Sequence, residues 1–233
     1  MTIDFSNTMK DKTKYLSLDE IDKILNYCYN NNRVRDYMLI LTLVRTGRRI
    51  SEIIGKRPFS RNVGFRPCDI MPDGLIEFDV LKKNHIKIRS PKTGQKRDPE
   101  KIKRLRIKKM PKRALFPVDD MFLELIGLYI QNNNISNYSR IFPISRQRVD
   151  IIIKEVCKAC NISRPKGKIS AHNFRHSFAI NLMKDNPNDA SVLKHVQQLL
   201  DHSDLSVTMT YAQFTQKDKK EKLDKLFNKR LEE

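Results

Sequence analysis

Residues 170–179 read Ser170-Ala-His172-Asn-Phe-Arg175-His176-Ser-Phe-Ala179. They open a stretch, Ala171–Lys184, whose apolar spacing predicts a helix. His172 and Arg175 are three positions apart, so on that helix an imidazole and a guanidinium share one face. His202 stands 27 residues beyond Arg175, in Leu200-Asp-His202-Ser203, and Tyr211 nine beyond that, in Val207-Thr-Met-Thr-Tyr211. Far upstream lies Arg45-Thr-Gly47-Arg48-Arg49-Ile-Ser-Glu52. Two arginines, two histidines and a tyrosine in a basic chain point to phosphoryl transfer without a metal. Guanidinium groups match phosphate oxygens in bidentate geometry and stay charged at every accessible pH. A tyrosine can attack phosphorus and hold it as a covalent ester, dividing one hard step into two.

Around these motifs the chain reads as helices, then a small antiparallel sheet, then helices again. Ser17 and Glu20 have capping-box spacing ahead of Ile21, Ile24, Leu25 and Cys28, which recur at helical intervals. Val34–Thr46 reads as a buried helix stopped at Gly47, and Arg49–Ile54 as one or two further turns. Leu75–Leu81 alternates apolar and polar residues after the Pro72-Asp73-Gly74 turn and predicts a strand; Leu105–Ile107 and Ala114–Val118 read as returning strands. Helices are then expected over Asp120–Gln131, Arg146–Cys160, Ala171–Lys184, Val192–Leu200 and Gln216–Arg230. With no internal repeat and no long linker, the expectation is one mostly helical α+β domain carrying a small antiparallel β-sheet.

The 233 residues include 46 Lys+Arg against 27 Asp+Glu, a net charge of +19. Such an excess calls for a polyanionic partner. Fifteen of the basic residues lie between Leu81 and Arg113, opposed only by Asp98 and Glu100, so that segment alone carries +13. So dense a block repels itself unless a partner neutralises it, and each phosphate it meets releases counterions; it reads either as a solvated basic arm or as a DNA-embracing hairpin. The longest uncharged apolar run, Tyr37–Val44, is closed by Arg45, far short of the roughly 20 residues that span a bilayer. The polar stretch Met1–Lys14 is not a signal peptide, so a protein that is not exported is expected, and the charge alone leaves nucleic acid and an anionic membrane surface both open as the polyanion. Cys28, Cys68, Cys157 and Cys160 are too few for a disulfide scaffold, and the Cys157-Lys-Ala-Cys160 pair has no second pair nearby. They read as buried or half-buried thiols of a reducing compartment, with no metal expected. Met121, Met183 and Met209 read as core residues, His195 as surface, and His176 either as packing or as support behind the reacting groups.

Three boxes together resemble the tyrosine recombinases (the phage integrase family). Thr46-Gly47-Arg48-Arg49-Ile50-Ser51-Glu52-Ile53 resembles the family's first arginine box, and His172-Asn-Phe-Arg175-His176-Ser-Phe-Ala179 its His-x-x-Arg box. Leu199-Leu200-Asp201-His202-Ser203 followed by Thr208-Met209-Thr210-Tyr211 resembles its final histidine and tyrosine box. The resemblance runs from about Leu16 to Gln213 and implies the catalytic fold of that family. It implies Arg49 and Arg175 as a phosphate clamp, His172 as proton acceptor, His202 as hydrogen-bond donor to a non-bridging oxygen, and Glu52 in a supporting role. Tyr211 is the implied nucleophile, giving a 3′-phosphotyrosyl bond and a free 5′-hydroxyl. A lysine between two strands is the implied general acid; Lys82 and Lys83 end the Leu75–Leu81 strand, with Lys92 and Lys96 as alternatives. Arg48 replaces a usual apolar residue, but the register Gly-x-Arg-Ile-Ser-Glu selects Arg49; Asp201 replaces a usual glycine before His202.

The expected activity is site-specific DNA recombination or integration on double-stranded DNA, with no metal and no nucleotide cofactor. Relaxation in the manner of type IB topoisomerases and a non-catalytic DNA-binding module of the same fold are the alternatives. A binding module has no need of the full set of five residues. The domain reading is a tail over 1–15, a catalytic domain over 16–215 with the basic insert at 81–113, and a C-terminal helix over 216–233. In that helix Leu223, Leu226, Phe227 and Leu231 recur at helical spacing, suited either to packing on its own domain or to docking on a neighbouring protomer in a tetrameric synapse. Family members generally carry an N-terminal DNA-clamping domain, so the chain reads as a minimal recombinase or as the catalytic part of a longer one.

Overall fold

The computed structural model describes residues 15–55, 63–80, 112–164, 168–184 and 190–200. They are mostly helical with one two-stranded antiparallel sheet, the expected α+β class. They fall into two compact units, divided between Arg49 and Ile50 and again between Arg146 and Gln147.

The first unit holds helices α1 (Leu18–Asn30), α2 (Val34–Thr46), most of α5 (Arg146–Ala159), α6 (Ala171–Met183) and α7 (Ala190–Leu199). The Ser17 capping box starts α1, with the Ser17 N–H donating to Glu20 Oε2 at 2.9 Å and the Glu20 N–H to Ser17 Oγ at 3.2 Å. Ile21, Ile24 and Cys28 then form its buried stripe. In α2 the run Met38–Leu41 and Leu43 is buried, as its unbroken apolar sequence predicts. The hydroxyls of Thr42 and Thr46 are buried too, and each donates to the carbonyl four residues back, at 2.7 and 2.6 Å. Helix α5 shows the 3.6-residue period most plainly, with Val149, Ile152, Ile153 and Val156 fully buried. Ala179, Ile180 and Met183 of α6 pack with Val196 and Leu200, covered by Tyr15, Phe178, Val192 and Leu193.

The second unit holds the short α3 (Ile50–Ile53), a 3-10 turn at Pro67–Asp69, strands β1 (Leu75–Val80) and β2 (Lys112–Pro117), and α4 (Asp120–Asn132). The strands pair from Leu75↔Pro117 to Val80↔Lys112. Ile76, Phe78 and Phe116 face the core, and the Phe65 and Phe78 rings meet at 5.1 Å. Asp119 caps α4 by accepting from the Phe122 N–H at 3.0 Å.

Two expectations are corrected. Met121, read as core, is 53% exposed: Phe122, Ile126 and Tyr129 form the buried stripe of α4, and Met121 lies about 100° around the helix from it. Cys68 is exposed, whereas Cys28 and Cys157 are buried and Cys160 is half-buried. The return strand begins at Lys112, two residues ahead of the expected Ala114. The expected strand at 105–107, the helix at 216–230 and Met209 lie outside the described residues. His195 is exposed as expected, and no helix among the described residues is long and apolar enough to cross a membrane.

Burial pushes the Cys28 thiol up to about 11 and the Cys157 thiol up to about 12. At pH 8 the folded chain is therefore expected to alkylate at Cys28 and Cys157 at least ~100-fold more slowly than at Cys68, because the thiolate is the nucleophile. Timed iodoacetamide labelling with peptide mass spectrometry measures this, and comparable rates at all three would refute it. Both folded thiols stay protonated where unfolded ones ionise, so their contribution to stability is complete below about 9 and declines as pH climbs beyond it.

Candidate active site

A second capping box fixes the start of α6. The Ser170 N–H donates to Asn173 Oδ1 at 2.9 Å, and the His172 N–H donates to Ser170 Oγ at 3.3 Å. These bonds occupy backbone donors that a helix start leaves without intrahelical acceptors. His172 thereby sits in the first turn and Arg175 one turn on. The two do not share an exposure: His172 is exposed, with its ring edge-on to His176 at 5.0 Å, while Arg175 is buried at 2% exposure. A separation of three residues leaves about 60° between side chains, enough to straddle the edge of the core.

The Arg175 guanidinium joins two distant pieces of backbone. Its Nη1 donates to the Gly47 carbonyl at 2.8 Å, and its Nη2 donates to the Leu200 carbonyl. Gly47 immediately precedes Arg48-Arg49, and Leu200 stands two residues before His202. One side chain of the second box thus bonds the chain at the first box and at the start of the third. A charge buried this deeply is tolerable because charge-assisted bonds to carbonyls replace its hydration, each worth about 1.5–3 kcal/mol.

Gly47 is built for that approach. It ends α2 in the left-handed conformation, φ +56°, with its N–H donating to the Leu43 carbonyl at 3.0 Å. A Cβ placed there would lie 2.4 Å from Cδ1 of Phe178, which also belongs to α6. The first box therefore presses its backbone against the second. Beyond Gly47, the Arg48 N–H donates to Thr46 Oγ1 at 3.3 Å, Arg48 is buried and Arg49 is half-buried. Glu52 is buried in α3 of the second unit.

Ser177, in the second box, accepts from the Leu16 N–H at 2.7 Å and donates to the Asn173 carbonyl at 2.9 Å, holding the segment ahead of α1 against α6. Neither Ser177 nor Phe178 stood out as a functional residue from sequence; only their place inside the box marked them. Lys82, Lys83, Lys92, Lys96, His202 and Tyr211 lie outside the described residues. Among the described residues no group of three or more His, Cys, Asp or Glu side chains is placed to hold a metal ion.

Comparison with known proteins agrees with the family resemblance. The sequence model of the phage integrase family matches residues 81–218, more than half of the chain. Tyrosine recombinase XerD of Halalkalibacterium halodurans is 22% identical over 228 residues, covering 91% of this chain and 61% of that protein. Tyrosine recombinase XerC of Pediococcus pentosaceus is 36% identical over 107 residues, 45% of this chain and 31% of that one. Among solved structures, XerH site-specific recombinase bound to palindromic difH substrate superposes with a TM-score of 0.60 at 17% identity, covering 94% of this chain and 54% of that one. The chain spans about three fifths of the length of the XerD relatives that it matches over most of its own.

Gly47→Ala is expected to lower stability by roughly 1–3 kcal/mol from the left-handed backbone alone, with more from the overlap on Phe178. Arg175→Lys keeps the charge but cannot span the Gly47 and Leu200 carbonyls, and leaving a buried carbonyl without a partner costs a further ~1–3 kcal/mol. Thermal and urea unfolding read both; melting curves that match the parent chain would refute the assignment.

Proposed function

The chain belongs to the phage integrase family, and from that premise we propose that it cuts and rejoins double-stranded DNA at specific sites through a 3′-phosphotyrosyl ester on Tyr211. The single observation that carries this reading is the Arg175 guanidinium, bonded to the backbone at Gly47 and at Leu200. Those bonds draw the start of the third box and the end of α2 toward the helix bearing His172, the arrangement that a reaction shared among the three boxes needs.

In the proposed reaction the Tyr211 hydroxyl attacks phosphorus in line with the 5′-oxygen. His172, exposed at the start of α6, takes up the tyrosine proton. Arg49 and Arg175 balance the charge gathering on the non-bridging oxygens, and His202 donates a hydrogen bond to one of them. A guanidinium carries five N–H donors, so carbonyl anchoring and phosphate contact by Arg175 are compatible. Lys82 or Lys83 protonates the departing 5′-oxygen. Rejoining reverses these steps with a 5′-hydroxyl as nucleophile. The ester conserves the energy of the broken phosphodiester, so no nucleotide is consumed, and the guanidinium pair supplies the positive charge that phosphoryl transfer requires.

The segment 81–113 grips the duplex through its lysines, and the protein works in the cytoplasm, self-associating on DNA into a tetrameric synapse with no membrane partner. Replacing Lys101, Lys103, Lys108 and Lys109 by Gln is expected to flatten the dependence of log affinity on log salt by up to about 3–4 units. Fluorescence anisotropy on a fixed duplex from 50 to 300 mM salt (on the order of the range where such slopes are linear) reads the change; an unaltered slope would remove the segment from the interface. For the chemistry, a randomised pool of nicked duplexes, in which the cut fragment diffuses away, is incubated with the 233-residue chain. Denaturant-resistant protein–DNA adducts are expected from the parent chain and none from Tyr211→Phe. Absence of adducts from the parent chain, or their persistence in the phenylalanine variant, would sink the proposal.

A further inference from the structure

Outside the three boxes, the Asp69 carboxylate is held by two arginines and a backbone N–H. It is 2% exposed, at the end of the 3-10 turn of the second unit. Its Oδ2 accepts from the Arg66 backbone N–H at 2.9 Å and from Arg66 Nε at 3.2 Å. Its Oδ1 accepts from Arg66 Nη2 at 2.9 Å and from Arg113 Nη2 at 2.5 Å. Arg113 in turn reaches Glu77 Oε2 at 2.8 Å with Nη1. Capping the turn needs only a neutral acceptor for the Arg66 N–H, a task that asparagine performs as well. The charge of Asp69 goes further, to a guanidinium 44 residues along the chain. A buried carboxylate is costly unless paired, so the Arg113 contact is the part of this arrangement that capping leaves unexplained.

Arg113 is the second residue of β2, whose first residue, Lys112, directly follows the segment 81–111, and β1 ends at Val80, immediately before that segment. The turn bearing Asp69 is itself tied down: the Cys68 N–H donates to the Asn137 carbonyl at 3.0 Å, and Ile70 pairs with Ile76 of β1. The cluster therefore fixes the point at which the basic segment rejoins the sheet. On the proposed function, that segment carries the lysine that protonates the departing 5′-oxygen, and this inference rests on that reading. A proton donor must come within hydrogen-bond reach of its acceptor, and a displacement of about 1 Å can cost ~10²-fold in rate.

We propose that Asp69, acting through Arg113, is a positioning residue for departure of the 5′-oxygen. When Tyr211 attacks, the phosphorus–O5′ bond breaks, its electron pair passes to O5′, and O5′ takes a proton from the lysine ammonium while the tyrosine proton goes to His172. Asp69 and Arg113 hold the base of the segment that delivers that proton and touch neither DNA nor the reacting atoms.

Replacing the bridging 5′-oxygen by sulfur tests this, because a thiolate departs without protonation. The duplex recovered by adduct capture is synthesised in both forms, and cleavage is followed in single turnover at saturating protein. Asp69→Asn and Arg113→Gln are each expected to slow cleavage of the oxygen duplex by at least ~10-fold and to cleave the sulfur duplex within ~3-fold of the parent rate. Arg113 is 40% exposed at its side chain, so its variant is a safeguard should Asp69→Asn fold poorly. Equal slowing on both duplexes would make the cluster merely structural and overturn the inference. So would slowing by Arg113→Gln alone, which would place Arg113 on the DNA itself, or parent-like rates from both variants. A parent chain that forms no adduct with either duplex would overturn the proposed function instead, and this inference with it.

Discussion

The contact on which the candidate site depends is the one between the buried Arg175 guanidinium and the carbonyls of Gly47 and Leu200. A positive charge at 2% exposure has lost nearly all its water, so its hydrogen bonds must come from the protein. Those carbonyls lie 128 and 25 residues away along the chain. Forming the contact requires α2 to stop at Gly47 and α6 to begin at Ala171, and each boundary has a local cause. The left-handed glycine provides the first and the Ser170–Asn173 capping box the second. Long-range geometry thus rests on two short-range rules.

The cations of this chain divide by how they are held. Arg33 pairs with Asp36 and Glu155, Arg164 with Glu20, and Arg66 and Arg113 with Asp69. These arginines spend their charge on the framework. Glu20 shows the balance: burial alone raises its carboxyl, yet the Arg164 guanidinium and the Ser17 N–H draw it below the usual carboxylate range. The segment 81–113 carries fifteen basic residues against Asp98 and Glu100, and on the proposed function its excess, Arg113 apart, meets a polyanion. The Asp69 cluster stands where the two populations meet, a framework pair placed at the base of the segment with the surplus.

Much of the fold was legible because its rules are local. The capping-box spacing of Ser17 and Glu20, the apolar period of Val149–Val156 and the alternation of Leu75–Val80 each encode an element within one short window. Met121 misled because an apolar residue one position off a helix stripe looks the same in composition as one on it. The candidate site was read in a different way, from the order and identity of three boxes, of which His202 and Tyr211 lie outside the described residues. Nothing in the sequence said that Arg175 turns inward while His172, three residues earlier, stays exposed. That difference follows from about 60° of helix rotation relative to a core whose position depends on the other helices.

By itself the sequence determined, to within about two residues, where the described helices and strands lie, together with the surplus of positive charge and its location and a set of groups suited to phosphoryl transfer. These are properties of residue type and spacing, which a chain carries whether folded or not. Only the tertiary structure decided that Phe178 closes over Gly47, that Leu200 offers its carbonyl to Arg175, and that Asp69 reaches Arg113. Each of those contacts joins residues at least 25 apart along the chain, Arg175 and Leu200 being separated by 25 and the other pairs by more. At such separations, local preferences no longer specify which atoms meet, and packing of the whole core selects the pair.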